Sequence, residues 1–463
     1  MPSGPDSFSA DPAYRSEFER ARALVLGHPG RWTVIYHYDA DGIASASSAL
    51  RAFARLGYPA QATALAGVVR ERMAELLDAA PGPVLIADTG SAWLDLYPSH
   101  REPVVVLDHH QYPGVPEPPK LPAHVALVNP LDWGVDGMSE MCAATLTWLF
   151  TIFLDPKNWD NAPWGLSGAI GDRQHVGGFR GLNGRLVEEA IRRSLVVERP
   201  GLPLFGPSLG AALTGSIDPF VRGLSGRPTE VGRLLHELGL DPARPPASLT
   251  SEEGARLTDA LRHGLERAHA APDGLKVIQQ PRWFLPALGH DAEEVSNLQS
   301  AAGRAKTPGL GVAYALGDRA AAERLTAAED AWRKGILKGL LRLEDEGVNS
   351  MSALQWFESP DSTLAGTQAG MAILYLLDAA RPVFVFTDGT GGPIKVSSRA
   401  TRELVDRGLD LAEVCREAAR AVNGEGGGHR IASGATIPPD SRTAFLDEAN
   451  RLVTLQIAGG GRP

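Results

Sequence analysis

The stretch Val104-Val105-Val106-Leu107-Asp108-His109-His110-Gln111 decides how the chain folds. Three β-branched residues and a leucine form a short apolar run, which suits a strand covered on both faces of a parallel sheet. An acid and two imidazoles then end it. Charged or metal-seeking side chains at the carboxyl end of a buried strand lie where open α/β sheets bind their ligands. The alternative for such a tail is plain loop chemistry.

Working outward, the same pattern recurs. Trp32 to Tyr38 reads as a strand rich in β-branched and aromatic residues; it runs into Asp39-Ala40-Asp41-Gly42 and a helix reaching about Leu56. Val84-Leu85-Ile86-Ala87 ends at Asp88-Thr89-Gly90-Ser91, and Val125 to Val128 ends at Asn129-Pro130. Strands separated by helical segments imply βαβ units and a parallel sheet. Three of these first four strands therefore end in carboxylates. A helix from about Glu140 to Leu154 follows, then Leu166 to Gly171 leading to Asp172, which joins the set of acidic strand ends.

Further on, Thr229 to His269 is helical and charged, broken by Pro242, Pro245 and Pro246. A second α/β region starts near Leu275, with a long helix over roughly Asp318 to Glu346 and strands at Pro382 to Thr387 and Ile394 to Ser398. Gly424-Glu425-Gly426-Gly427-Gly428-His429 follows a helix ending near Val422, and Gly459 to Pro463 reads as a frayed end. The expected organisation is α/β: a parallel-sheet domain over 1–228, a helical connector over 229–274, and a smaller α/β domain over 275–463, with the active site in the cleft between the two.

Bulk composition narrows the function classes. A chain of 463 residues holds two or three domains, and 43% hydrophobic with 22% charged residues describes an ordinary soluble protein. No apolar run is long enough to span a bilayer, and Met1 to Glu19 resembles neither a signal nor a transit peptide. Two cysteines, Cys142 and Cys415, cannot staple a chain of this size, so a reducing cytoplasm is the expected location. The net charge of −10 argues against a general nucleic-acid binder unless a metal cluster consumes several carboxylates.

The acidic ends supply such a cluster. Asp39, Asp41, Asp88, Asp108 and Asp172 are expected to converge at one sheet edge with His37, His109 and His110. Carboxylates packed that closely stay protonated or take up a cation. Mixed imidazole and carboxylate ligation suits Mn²⁺ better than Mg²⁺, which remains the second candidate. Two ions roughly 3.5–4 Å apart activate water and clamp a phosphoryl group for in-line attack. The bland alternative is a polar crevice lined with ordinary acids.

His37-Tyr38-Asp39-Ala40-Asp41-Gly42, Ala87-Asp88, Asp108-His109-His110 and Gly168-Ala169-Ile170-Gly171-Asp172 resemble the four motifs of the DHH phosphoesterase superfamily, and the glycine-histidine segment resembles the signature of its associated C-terminal domain. Asn129-Pro130 with Gly137, Asn297 with Gly303-Arg304, Lys395-Val396-Ser397-Ser398-Arg399, and Gly428 to Ala435 are similar to the RecJ-like nucleases, above all the archaeal GINS-associated branch. The resemblance implies one metal held by His37, Asp39 and Asp88 and another held by Asp41, Asp88, His109 and Asp172, with Asp88 bridging. It further implies that Asp108 orients an imidazole and that His110 faces the substrate phosphate or the leaving oxygen.

In the C-terminal region, Gly427 and Gly428 with His429 and Arg399 are the expected substrate-binding residues, their exposed N–H groups forming an anion nest. A helix cap and flexible turn is the competing reading. Lys334, Lys338 and Arg342 share one face of the long helix, either as a solvated face or as a ridge tracking a nucleic-acid backbone. Arg173, Arg180, Arg185, Arg192 and Arg193 form a second basic stretch.

The expected function is a Mn²⁺-dependent phosphodiesterase that removes nucleoside monophosphates from the ends of single-stranded DNA or RNA, or of short oligonucleotides, in DNA repair or replication beside a protein partner and away from membranes. One alternative is a small-substrate phosphoesterase for nanoRNA, cyclic dinucleotides or phosphoadenosine phosphate. The second is a non-catalytic replication scaffold; relatives of that kind lose metal ligands, whereas all are present here.

Overall fold

The computed structural model describes Phe8, 11–67, 69–112, 120–199, 201–387 and 392–459. The reading of a frayed terminus therefore falls, beyond Gly459, outside the described residues. The chain divides into two compact units: 1–199 with 281–329, and 200–280 with 330–463.

The first unit is built on a five-stranded parallel sheet: Trp32–His37 (β1), Ala60–Leu65 (β2), Val84–Ala87 (β3), Val104–Leu107 (β4) and Val125–Val128 (β5), in the order β2-β1-β3-β4-β5. Every residue of β3, β4 and β5 is buried, as unbroken Val/Ile/Leu runs require of a doubly covered sheet. Strand β2 has no counterpart among the expected strands. Its sequence, Ala-Gln-Ala-Thr-Ala-Leu, lies at the sheet edge and is mostly half-exposed, so it needs no apolar run to signal it. A small antiparallel sheet, Val197–Arg199 (β6), Arg282–Leu285 (β7) and His290–Asp291 (β8), brings the chain back into this unit.

Helices Ala40–Leu56, Ala143–Leu154 and Ala162–Gly171 pack together, and the last two are buried on nearly every side. Glycines make that approach possible. A Cβ on Gly165 would lie 2.6 Å from the Trp148 ring, and one on Gly168 would lie 2.2 Å from Ala144 Cβ. The acidic residues do not all end strands. Asp172 follows the helix Ala162–Gly171, and Asp41 sits in the first turn of the helix Ala40–Leu56; only His37, Asp88 and Asp108 directly follow or finish strands. The run Leu166 to Gly171, buried as far as Ile170, is helical because it continues an apolar stretch that starts at Ala162, long enough for a helix and free of β-branched residues except Ile170.

The second unit carries a six-stranded mixed sheet: Asn349–Ser350 (β9), Gln355–Glu358 (β10), Val383–Thr387 (β11), Ile394–Arg399 (β12), Glu425–Gly428 (β13) and Ala432–Ile437 (β14), in the order β13-β14-β12-β11-β10-β9. Alternation along β11 separates two cores. Val383 and Val385 join the helix Ser362–Tyr375, whereas Phe384 and Phe386 join the helices Leu411–Ala421 and Arg442–Ala458. The region read as a separate connector, 229–274, contributes to the first of these cores: Val231, Leu235, Leu257, Leu261 and Leu265 pack with Ile336, Leu340 and Ala369. Residues 281–329, expected in the C-terminal domain, lie in the first unit, and the division at Glu329 falls within the helix Arg319–Glu346. Proline breaks in 229–274 mark turns between helices rather than a linker, because their leucines recur at four-residue spacing and are fully buried.

Replacing Gly168 with alanine forces apart the helices that hold Asp41. Urea unfolding is expected to show a loss of about 1–3 kcal/mol, as overpacking of a close-packed core typically costs.

Candidate metal centre

Each ligand candidate in the first unit is aimed by backbone features. Asp39 caps the helix Ala40–Leu56, accepting from the Gly42 amide with Oδ1 (3.1 Å) and turning Oδ2 toward His37 Nδ1 at 2.9 Å. A side chain at Gly42 would collide with the His37 carbonyl oxygen at 2.1 Å, so the glycine of the Asp-Ala-Asp-Gly turn is required by the close approach. Asp41 is 1% exposed. Both its oxygens accept from the N-terminus of the helix Ala143–Leu154, the amides of Ala143 (2.9 Å) and Ala144 (2.8 Å).

Asp88 extends its strand by one hydrogen bond, from its amide to the Leu107 carbonyl at 3.0 Å, then turns with φ +60°. Aspartate is among the few side chains that accept this left-handed region. The turn sends Oδ1 to within 3.2 Å of His109 Nε2 and Oδ2 to within 3.3 Å of His37 Nδ1. His109 Nε2 also lies 3.6 Å from Asp41 Oδ2 and 3.6 Å from Asp172 Oδ2. On the other side of the ring, Nδ1 is 2.7 Å from the Gly137 carbonyl, which can only accept. Nδ1 therefore carries a proton, and Nε2 is the nitrogen that faces the carboxylates.

Asp108 stands one layer behind. It is fully buried and accepts from the amides of Ser91 (2.8 Å), His109 (2.8 Å) and His110 (3.3 Å) and from His110 Nδ1 (2.7 Å). The His110 side chain is 52% exposed, so the bond to Asp108 sets its orientation while Nε2 stays open. Buried Asn129 donates to Ser91 Oγ and to the His110 carbonyl, both at 3.0 Å.

The electrostatics are those of a site short of positive charge. Burial and the neighbouring Asp88 carboxylate push Asp41 up to about 7. Burial and Asp41 raise Asp172 well above the ordinary carboxylate range. For Asp88 burial opposes the charge, yet His109 and His37 outweigh it and hold the carboxyl low. Burial opposes a charged His37 as well, but Asp39 and Asp88 beside it lift its pKa to about 11. In each of three triads the donor atoms lie within 4.8 Å of one another: His37 with Asp39 and Asp88, Asp41 with His109 and Asp172, and Asp88 with His109 and His110. His37 Nδ1 and Asp88 Oδ2 are buried and, though 3.3 Å apart, make no hydrogen bond among the described residues. Two polar atoms that converge without bonding each other fit a shared cation between them.

The remaining candidates belong to the second unit. Glu425–Gly428 is the edge strand β13 rather than a helix cap or a nest, with Gly427 opposite Gly434 and Gly428 opposite Ser433. Packing dictates this: a Cβ on Gly426 would sit 2.3 Å from the Cys415 carbonyl, so the glycine run lets the strand lie flat against the helix Leu411–Ala421. Arg399 closes β12, two strands away, on the same strand face as Lys395 and Ser397, and its Nη1 donates to the Ser398 carbonyl at 2.8 Å. His429 is exposed in the turn between β13 and β14. A cavity of about 460 Å³ over this sheet is lined by Thr387, Lys395, Ser397, Glu425, Gly434 and Thr436, but by neither Arg399 nor His429.

Residues 362–455 match the DHHA1 domain, the segment that holds β11 to β14. The second unit therefore carries a DHHA1 domain. The chain is 24% identical over 438 residues to an uncharacterized protein of Methanocaldococcus jannaschii, covering 94% of this chain and 95% of that one. Its fold is similar to that of RecJ in complex with Mn²⁺ from Thermus thermophilus (TM-score 0.59, 18% identity), covering 97% of this chain and 56% of RecJ, so it spans little over half of that protein's length. It is also similar to CDC45 from Entamoeba histolytica (TM-score 0.64, 11% identity), covering 95% of this chain and 99% of that one.

Residue types alone do not reveal the backbone donors, the amides of Ser91, Ala143 and Ala144, which carry no signature in the sequence. A divalent ion using His37 Nδ1 must displace the proton held there at neutral pH. Titration calorimetry of metal-free protein with Mn²⁺ in buffers of different ionisation enthalpy is expected to show proton release, with affinity rising about tenfold per pH unit for each proton released.

Proposed function

We propose that this protein is a two-metal phosphodiesterase of the DHH superfamily that acts as an exonuclease on single-stranded DNA or RNA and releases nucleoside monophosphates. The observation that carries the reading is the division of Asp88, one oxygen toward His37 and the other toward His109, an arrangement that would let two cations share one carboxylate. Mn²⁺ suits the mixed donor set, with Mg²⁺ as the second choice. A pair of such ions lowers the pKa of water and neutralises charge on a phosphoryl group.

The residues of the chain do the rest. His37, Asp39 and Asp88 would hold one ion; Asp41, Asp88, His109 and Asp172 would hold the other. Asp108 fixes His110, whose open Nε2 serves as the partner of the phosphate or of the leaving oxygen. Within the second unit, Arg399, Gly427, Gly428 and His429 are the residues proposed for substrate binding. Lys334, Lys338 and Arg342 lie along one side of their helix and match the phosphate spacing of a strand only in the broad sense that a basic ridge does. Among the described residues no helix is long and apolar enough to cross a membrane.

The likeness to CDC45 supports a second reading, a replication scaffold without turnover. Against it stands the presence of every ligand in converging geometry. A small-substrate phosphoesterase is the third. One assay separates them: labelled single-stranded DNA and RNA, from dinucleotides to about twenty nucleotides, incubated with the protein and Mn²⁺. Mononucleotide release from the longer strands is expected. Preference for the shortest substrates favours the small-substrate reading, and ion uptake without turnover favours the scaffold. Asp88→Ala is expected to lower turnover by on the order of 10³-fold or more, since one carboxylate serves both positions. Undiminished turnover in this variant refutes the site.

A further inference from the structure

The His109 ring is turned by the Gly137 carbonyl, 2.7 Å from Nδ1. Gly137 lies in a loop beside Met138, which is 66% exposed, and its own backbone presses on the histidine: a Cβ there would meet the His109 carbonyl oxygen at 2.2 Å. If the imidazole were the sole bond to this carbonyl, the group that orients the ring would itself be held only by the ring. A second donor breaks the circularity. Gln174 Nε2 donates to the same carbonyl at 2.8 Å.

Gln174 belongs to a buried line of polar groups. It is 6% exposed, follows Asp172 by two residues, and is anchored by a bond from its amide to the Ala169 carbonyl at 2.9 Å. Its Oε1 accepts from Asn183 Nδ2 (2.7 Å), and Asn183 Oδ1 accepts from Thr145 Oγ1 (2.6 Å), both residues being essentially inaccessible. Thr145 lies in the first turn of the helix whose leading amides grip Asp41. The direction of every amide in the line follows from one fact. A carbonyl only accepts, so Gln174 must present nitrogen to Gly137, which leaves its oxygen for Asn183, whose oxygen in turn meets the threonine hydroxyl.

We propose that Gln174 is a positioning residue of the metal centre. It fixes the Gly137 carbonyl, and through it the rotation and tautomer of His109, so that Nε2 faces Asp41, Asp88 and Asp172; the line through Asn183 and Thr145 ties this setting to the helix that holds Asp41. The inference rests on the metal-centre reading given above. It assigns Gln174 to the ion position of His109, because the line ends on that imidazole and on the helix of Asp41 rather than on His37 or Asp39.

The test is Mn²⁺ binding by calorimetry to metal-free wild type, Gln174→Met and Gln174→Glu, with the thermal midpoint of each metal-free protein measured beside it. Methionine keeps the volume and removes the donor without adding charge; glutamate keeps the acceptor for Asn183 and replaces the donor toward Gly137 with a carboxylate oxygen. In both variants one of the two Mn²⁺ equivalents is expected to weaken by about 10–100-fold, the usual effect of removing a partner behind a metal-bound histidine, while the other stays at the wild-type value. Equal affinities for both ions in wild type and variants overturn the proposal. So does parallel loss of both ions together with a lowered midpoint, the signature of a merely structural role. Should methionine prevent folding, the glutamate variant decides by the same criteria. Failure of the wild type itself to take up Mn²⁺ overturns the metal-centre reading, and this inference with it.

Discussion

Like charge gathered in a dry place is the constraint around which the first unit is organised. Asp41, Asp88 and Asp172 bring carboxylate oxygens to within 3.2–3.6 Å of one imidazole nitrogen of His109. Water would screen such a group, but Asp41 and Asp88 are almost inaccessible. Without a cation the cluster lowers its charge by holding protons, on Asp41, on Asp172 and on both histidines. The fold thus holds these donor atoms in place at an electrostatic cost that a divalent ion would relieve.

Rigid elements bear that cost. The strands β1, β3 and β4 end side by side, so His37, Asp88 and the Asp108-His109-His110 run start from fixed points on one sheet edge. The opposing side is made of helix termini. The N-terminus of the helix Ala143–Leu154 offers two amides to Asp41, and the helix Ala162–Gly171 delivers Asp172 at its C-terminal end, where the helix dipole adds to the unfavourable charge. Gly168 sits where these parts meet, because a Cβ there would stand 2.9 Å from Asp41 Oδ1. Packing between helices and aim of the carboxylate are therefore the same structural fact.

Much of this is legible in the amino-acid order. Apolar runs that end in Asp or His mark buried strands with a polar task, and β1, β3, β4 and β5 lie where such runs predict, within a residue or two. The ligands converge because parallel strands place their carboxyl ends together. What escapes is information that side chains do not carry. Strand β2 is alanine-rich and half-exposed, so its pairing with β1 decides its state rather than its composition. Asp172 reads as one more strand end, since an apolar run of that kind fits a buried helix equally well. The glycine run is a strand because only tertiary contact with the Cys415 carbonyl distinguishes a flat edge from a turn. The chain's return from the second unit to the first leaves no compositional boundary at all.

That return has a consequence for how the protein is made. Residues 281–329 complete the first unit: Gln299 receives a hydrogen bond from Ser167 at 2.7 Å, and Gly303 packs so closely that a Cβ would lie 2.6 Å from the Tyr38 carbonyl. A nascent chain that has just emerged past the last acid of the cluster still lacks the helix that closes over it. During synthesis the ribosome must release the whole inserted stretch 200–280 before the ligand edge acquires its final neighbours. Assembly of the first unit is thereby coupled to translation of part of the second, and no single uninterrupted gene segment encodes it.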